Sequence, residues 1–230
     1  MQATYSYWLF KDVLTKEDRK KIKRVASKVG YENASTRGKT WSGKDSTDTV
    51  RVQDVEIRDT EVSWSDDQFL YDILCPFVHN ANEQAGWKYD LDWFESVQIA
   101  KYKKNQHYSW HTDGAGDHFG AYTEGGDNIE GKVRKVSCVS ILSNGYTGGD
   151  FELALQKQDG ENLILRPEME VGDVIVFPSY VFHRSTPISK GTKYSAAMWC
   201  LGPPFRLSLI HISEPTRPER IGGGGVGVEK

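Results

Sequence analysis

KVSCVSILSNGYTGGDFELALQKQDGENLILR, residues 135–166, decides the fold class. Its apolar runs, KVSCVSIL, DFELAL and NLILR, have the length of strands, and the segments between them, SNGYTGG and QDGEN, are turn formers. The rhythm continues downstream through DVIVFP, YVFHRS and KYSAAMWCL, punctuated by EVGD, PS and SKGT. Upstream, ESVQIAKY starts the series near residue 93 and sets Val97 and Ile99 against Gln98, Ala100 and Tyr102. Short strands joined by turns, with no helices between them, predict an antiparallel sandwich or barrel. A parallel sheet would need long crossovers that this stretch lacks.

Before residue 93 the period is helical. In TKEDRKKIKRVASKVG (15–30), Thr15 and Asp18 are spaced as a capping box, Ile22, Val25 and Val29 recur on one face, and Gly30 supplies the stop. The polar, turn-rich STRGKTWSGKDSTD (35–48) predicts a loop. A second helix is expected in SDDQFLYDILCPFVHNANEQAG (65–86), capped by Ser65, ending near Gly86, and bent or divided at Pro76. The expected organisation is one domain over 1–206, with a helical support region at 1–92 and a strand-rich core at 93–206. Residues 114–135 hold six glycines and little apolar periodicity, so they are read as a long functional loop and candidate substrate lid. From residue 207 onward, LSLIHISEPTRPERIGGGGVGVEK breaks with everything before it. It is read as a non-native or disordered tail, so His211 is not counted as a ligand.

Hydrophobic residues at 38% and aromatics at 12% supply a sizeable core and argue against global disorder. A net charge of −3 leaves no general basic footprint, so no nucleic-acid partner is expected. Cys75, Cys138 and Cys200 are widely spaced, odd in number and without a C-x-x-C pair. That is a poor disulfide framework and no zinc knuckle, and it predicts reduced thiols and a cytoplasmic location. The opening MQATYSYWLFKDVLTKED lacks the basic-then-apolar pattern of a signal peptide, and no apolar run approaches a membrane span, so no membrane partner is expected.

The candidate chemistry begins at YSWHTD (108–113). At a strand end, residues i and i+2 point the same way, so His111 and Asp113 can reach one cation. Imidazole with carboxylate suits Fe(II), Mn or Zn. H-x-D alone is common by chance, and a solvated turn is then the better reading. GDVIVFPSYVFHRSTPISKGTKYSAAMW (172–199) changes that balance, because His183 lies several strands further on and can return beside the first pair. Two histidines and one carboxylate on one face of iron form the facial triad of non-haem oxygenases, with positions left open for a co-substrate and O2. A 2-oxo acid chelating through two of them would carry its far carboxylate to a buried cation, and Lys193 is placed to be that cation. Strand alternation gives Lys193 the same face as Ser195, Ala197 and Trp199, with Tyr194, Met198 and Cys200 facing away. Tyr102 shares a face with Gln98 and Ala100, and its hydroxyl can donate to the same oxo acid.

QIAKYKKNQHYSWHTD (98–113), YTGGDFEL (146–153) and GDVIVFPSYVFHRSTPISKGTKY (172–194) together resemble the iron- and 2-oxoglutarate-dependent dioxygenases of the prolyl 4-hydroxylase type. The resemblance is specific over residues 93–205 and looser over the region before them. It implies a mainly β fold with α, a double-stranded β-helix (jelly roll) whose core is supported by N-terminal helices. It also implies Fe(II) held by His111, Asp113 and His183, with 2-oxoglutarate bound by Lys193 and Tyr102. O2 would be the second co-substrate, and ascorbate a further cofactor. The implied reaction is hydroxylation of a substrate C–H with release of succinate and CO2. A prolyl residue of a peptide or protein is the first substrate implied, with a free amino acid or other small metabolite as the alternative. Related bacterial members often carry Arg where this chain has Lys193, and either cation serves.

Two other readings use the same residues. A jelly-roll binding module could keep the fold and lack the chemistry. A zinc hydrolase could use the three ligands with no need for Lys193 or O2. Among neighbouring residues, His107 and His118 read as surface or loop histidines, with His118 at the substrate entrance, and His79 as a helix-surface or packing residue. Arg184 should turn away from His183, toward a carboxylate. Gly148, Gly149 and Gly172 read as turn formers. Trp110, Phe182 and Trp199 read as core aromatics or pocket walls.

Overall fold

The computed structural model describes residues 5–39, 49–52, 54–114, 120–156 and 161–205. The chain opens with β1 (Trp8–Phe10), α1 (Lys16–Val29), β2 (Glu32–Asn33), β3 (Thr36–Lys39) and β4 (Thr49–Val52). Next come β5 (Arg58–Asp59), β6 (Glu61–Ser65), α2 (Gln68–Gln84), β7 (Trp93–Phe94), β8 (Val97–Tyr102), β9 (His107–His111) and β10 (Val133–Ile141). The last part holds β11 (Thr147–Gly148), β12 (Phe151–Gln156), β13 (Asn162–Leu165) and β14 (Val174–Pro178). It finishes with β15 (Phe182–Ser185), β16 (Ile188–Lys190) and β17 (Lys193–Gly202).

A larger sheet runs β1-β14-β10-β17-β8-β6-β2, with β7 beside β17, and a smaller one runs β13-β12-β15-β9-β5. Neighbouring strands are antiparallel, and the two layers make the expected jelly roll. Strand alternation sends one face of the larger sheet outward. There Val97, Ile99, Cys138 and Met198 pack on Ile22 and Ala26 of α1 and on Leu70, Leu74 and Val78 of α2. Burying each large apolar side chain of this layer contributes roughly 1.5–3 kcal/mol. Between the sheets, Phe151, Leu153, Ile175 and Phe177 close one end, while Val62, Ala100, Tyr102 and Ile188 cluster toward the other. The candidate site lies between these two clusters.

The α1 capping box is present, with the Thr15 hydroxyl accepting from the Asp18 backbone N–H and the Asp18 carboxylate accepting from that of Thr15. Ile22 is buried as expected, but Ala26 takes the second core position; Val29 sits in the last helical turn and is exposed. The second helix starts later than its sequence suggests. Asp67 is the N-cap, accepting from Phe69 N–H at 3.0 Å, while Ser65 ends β6 and its hydroxyl accepts from Asp67 N–H. Pro76 does not divide α2, because it and Asp72, whose carbonyl loses its helical partner, both lie on the exposed side where water can bond that oxygen.

The expected loop at 35–48 contains a strand: Thr36–Lys39 pairs with Thr49–Val52. Its polar composition hides the usual alternation. Residues 40–48 lie outside the described residues, as do 115–119 with His118 and 206–230 with His211. The region before residue 93 is also more than helical support. It lends β1, β2 and β6 to the larger sheet and β5 to the smaller, in segments too short to show a period. No helix among the described residues is long and apolar enough to cross a membrane.

Candidate active site

Cross-strand register places the first two ligand candidates opposite one another, since His111 at the end of β9 pairs with His183 of β15. Asp113 follows two residues later, where the chain has left the strand but is still tied down. Its N–H donates to Ser179 carbonyl at 2.9 Å, and Ser179 N–H donates to Lys135 carbonyl at 3.0 Å. One ligand atom from each of His111, Asp113 and His183 lies within 4.8 Å of the other two. Asp113 Oδ1 is 3.8 Å from His111 Nε2, and Oδ2 is 3.5 Å from His183 Nε2.

The tautomers follow from the partners. His111 Nδ1 bonds the Ser109 carbonyl at 2.7 Å and His183 Nδ1 the Val181 carbonyl at 3.0 Å. A carbonyl only accepts, so both Nδ1 atoms carry the proton and both Nε2 lone pairs face the carboxylate. Ring packing fixes the planes: Tyr108 stacks on His111 at 3.4 Å, and Phe177 meets His183 at 4.7 Å. Ser137 donates to Asp113 Oδ2 at 2.7 Å, so its other bond, to Ser179 Oγ at 2.9 Å, must be donated by Ser179. Such second contacts orient ligands and tune the metal they hold.

Protonation suits a cation as well. Burial, helped by the neighbouring His183, lowers His111 to about 3, which leaves the imidazole neutral. Burial pushes the Asp113 carboxyl up, but positive charge on the neighbouring histidines when they are protonated, with Arg134 and the Ser137 hydroxyl, outweighs it and lowers the group to about 2. A neutral His111 imidazole and an ionised Asp113 carboxylate are forms that bind metal.

Lys193 and Tyr102 face each other across β17 and β8. The ammonium is buried, 5.7 Å from the Tyr102 ring, and donates to the Gly149 carbonyl at 2.6 Å and to Ser185 Oγ at 3.1 Å. Burial lowers it to about 8 against the attraction of Asp150, and no ion-pair contact to a carboxylate is seen for it among the described residues. A buried cation bonded only to neutral oxygens is a receptor for an anion. Beyond it the same face carries Ala100 and Ser195, then Gln98 and Ala197, and then Trp199, with Trp64 of β6 beside Gln98. The small residues leave a trough between the sheets. Tyr194, Met198 and Cys200 face the helices, as alternation predicts.

Gly149 does more than turn the chain. Its φ is +68°, its carbonyl holds Lys193, and a Cβ there would lie 2.3 Å from Ile188 Cδ1 and 3.2 Å from Lys193 Cδ. Arg184 turns outward to Glu152 Oε2 at 2.6 Å, as expected. His107 bonds backbone carbonyls and His79 is an exposed helix residue beside Phe94. Neither meets the triad.

In front of the triad opens a cleft of about 1040 Å³, whose walls include Arg58, Gln98, Tyr108, His111, Phe182 and Trp199. Phe182 and Trp199 are therefore pocket walls. Trp110 instead lies under Arg184, 4.6 Å from its guanidinium. The expected 114–135 loop ends sooner, since β10 begins at Val133; its described part supplies Tyr122 and Ile129 to the wall, pinned by Tyr122 N–H to Lys132 carbonyl at 2.9 Å and Gly131 N–H to Tyr122 carbonyl at 2.8 Å. Arg58, Arg134 with its Glu95 partner, and Ser137 escaped the sequence reading. Only Ser137 left a signal there, as a hydroxyl inside an apolar strand.

Residues 97–201 match the family model described as the 2OG-Fe(II) oxygenase superfamily. The jelly-roll part of this chain is similar to that superfamily. A PKHD-type hydroxylase of Xylella fastidiosa (strain M12) is 30% identical over 102 residues, which are 43% of this chain and 41% of that protein. The chain thus aligns with about two fifths of the length of the curated relatives it matches. Among solved structures, a Pseudomonas putida prolyl-4-hydroxylase superposes with a TM-score of 0.58 at 20% identity, covering 86% of this chain and 93% of that one. The viral collagen prolyl hydroxylase of Paramecium Bursaria Chlorella virus-1 superposes with a TM-score of 0.55 at 18% identity, covering 86% and 97%. His111, Asp113 and His183 are placed to hold a metal such as iron.

Proposed function

We propose that this chain hydroxylates a substrate C–H bond at the expense of 2-oxoglutarate and O2. One oxygen atom enters the substrate as hydroxyl, the other enters succinate, and the lost carboxyl leaves as CO2. The observation that carries the reading is the conjunction of a metal-ready triad with a buried lysine bonded to neutral oxygens. Fe(II), when bound, supplies the activation of O2. The residues of the chain supply position and protection. His111, Asp113 and His183 hold the metal on one face, each backed by a second hydrogen bond. Lys193 takes the far carboxylate of 2-oxoglutarate, with the Tyr102 hydroxyl as a second donor, and Ala100, Ser195 and Ala197 make room for its carbon chain. Trp199 and Phe182 wall the substrate side and limit water.

A zinc hydrolase would leave the buried Lys193 without a purpose, and a binding module would leave the tautomers and the ionised Asp113 without one. The two structural neighbours are a prolyl-4-hydroxylase and a collagen prolyl hydroxylase, which makes a prolyl ring the first substrate to test, peptide-borne or free. Residues 1–206 are taken as one catalytic domain. Ascorbate fits as a reductant that keeps the iron ferrous. The free Cys75, Cys138 and Cys200 suit a reducing, cytoplasmic setting.

Anaerobic addition of Fe(II) and 2-oxoglutarate should give a visible metal-to-ligand absorption band, and O2 should then release succinate in proportion to iron. A protein with neither band nor succinate is no oxygenase.

A further inference from the structure

Arg58 is a further buried cation beside the Tyr102 hydroxyl, and the 2-oxoglutarate reading assigns it no contact of its own. Its residue is 7% exposed, and it walls the open cleft, as Gln98 does, whereas Lys193 and Tyr102 do not. Nη2 donates to Gln98 Oε1 at 2.6 Å, and Nε is buried with no hydrogen-bond partner. The guanidinium stands over Tyr108 at 4.4 Å, and that ring stacks on His111 at 3.4 Å. Two groups so close to one ring centre cannot share a face, so Tyr108 lies between Arg58 and the metal ligand. No carboxylate pairs with Arg58 among the described residues, although the neighbouring Arg134 has Glu95 at 2.6 Å.

Leaving a buried guanidinium donor unsatisfied is costly, and its forked donors match a carboxylate. The mouth of the same cleft carries Glu32, Asp66 and Glu124. These repel a dianion such as phosphate and attract an ammonium. Resting on the oxygenase reading above, we propose that the substrate is a small free amino or imino acid. Its carboxylate sits on Arg58, its ammonium faces the acidic mouth, and its side chain is presented past Tyr108 to the metal. A prolyl residue inside a peptide has no carboxylate to offer there.

Calorimetric titration of the protein loaded anaerobically with Fe(II) and 2-oxoglutarate tests this, using L-proline, L-leucine and L-lysine against their amides. N-acetyl-glycyl-L-proline and its amide are added to represent a chain end. At least one free acid should bind about tenfold to a hundredfold more tightly than its amide. Arg58→Gln should erase that preference and leave 2-oxoglutarate affinity within about threefold of the parent, while Arg58→Lys, which keeps the charge, should retain part of it. Three results overturn the proposal: acids and amides binding alike, no acid binding, or Arg58→Gln weakening 2-oxoglutarate itself. Tighter binding of the acetylated dipeptide acid than of any free amino acid would move the substrate to a peptide C-terminus and also overturn it. The absorption band, recorded in the same samples, separates the failures. With the band present the oxygenase reading survives the loss of this one. Without the band the oxygenase reading falls first.

Discussion

The larger sheet buries one face on two helices in a continuous apolar layer, while its other face mixes small and polar side chains with the inner-core Ile175 and Phe177. The smaller sheet carries two of the three metal-ready side chains and meets that outer layer nowhere. Its outward side is tied by charge: Glu152 is buried, receives Arg184 at 2.6 Å and Arg166 Nε at 2.9 Å, and Arg184 in turn covers Trp110. His183 and Arg184 are adjacent, one facing the site and the other the ion cluster. The apolar helix-facing layer thus lies on one sheet and two of the metal-ready side chains on the other, with Lys193 and Tyr102 on the helix-backed sheet.

The sharpest break of this division is a pair of variants. His183→Ala should abolish measurable Fe(II) binding while the melting temperature stays close to the parent's. Leu74→Ala should cost roughly 2–5 kcal/mol of unfolding free energy and leave the iron–2-oxoglutarate band of the folded protein intact. Denaturant melts and the band, measured on both, decide the matter; a His183 variant that unfolds, or a Leu74 variant without the band, would show the sheets to be coupled.

Lys193→Met should be the next largest effect, weakening 2-oxoglutarate about a hundredfold with Fe(II) affinity unchanged. The parent protein should show the same dependence through pH. With the ammonium lowered to about 8, affinity should be flat below that value and fall about tenfold per unit above it, because the bound form needs the charge. Ligand-free stability should move the other way. Between about 8 and the ordinary lysine value near 10.5 the folded chain binds fewer protons than the unfolded one, so stability rises with pH across that window. Calorimetry and thermal melts across pH 7 to 10.5 read both. The smallest change is Ser137→Ala. It removes one hydrogen bond from Asp113 and should weaken Fe(II) about tenfold, with 2-oxoglutarate affinity unaffected once iron is saturating.

Much of this was written locally. Runs such as KVSCVSIL and DVIVFP became strands within a residue or two, because alternation and turn residues are properties of neighbours along the chain. His111, Asp113 and His183 meet as their spacing suggests, and Lys193 shares its face with Ser195 and Trp199 because strand faces alternate every two residues. Pro76 shows the limit: a local rule predicts a break, and exposure to water removes the need for one. Thr36–Lys39 shows another, since a short polar strand has no period to read.

What only the tertiary structure decided is which polar groups end up buried together. Arg58 lies in a two-residue strand whose sequence looks exposed, and pairing with β9 places it behind Tyr108. Ser137 reaches Asp113 because β10 crosses beneath the chain that leaves β9, and the Gly149 carbonyl finds Lys193 across the join of β11 and β16. The sequence alone determined the strands, their inward faces and the residue types able to hold a metal. Desolvation decided the rest. It is set by what packs from distant parts of the chain, and it turned Lys193 and Arg58 from ordinary basic residues into two buried charges.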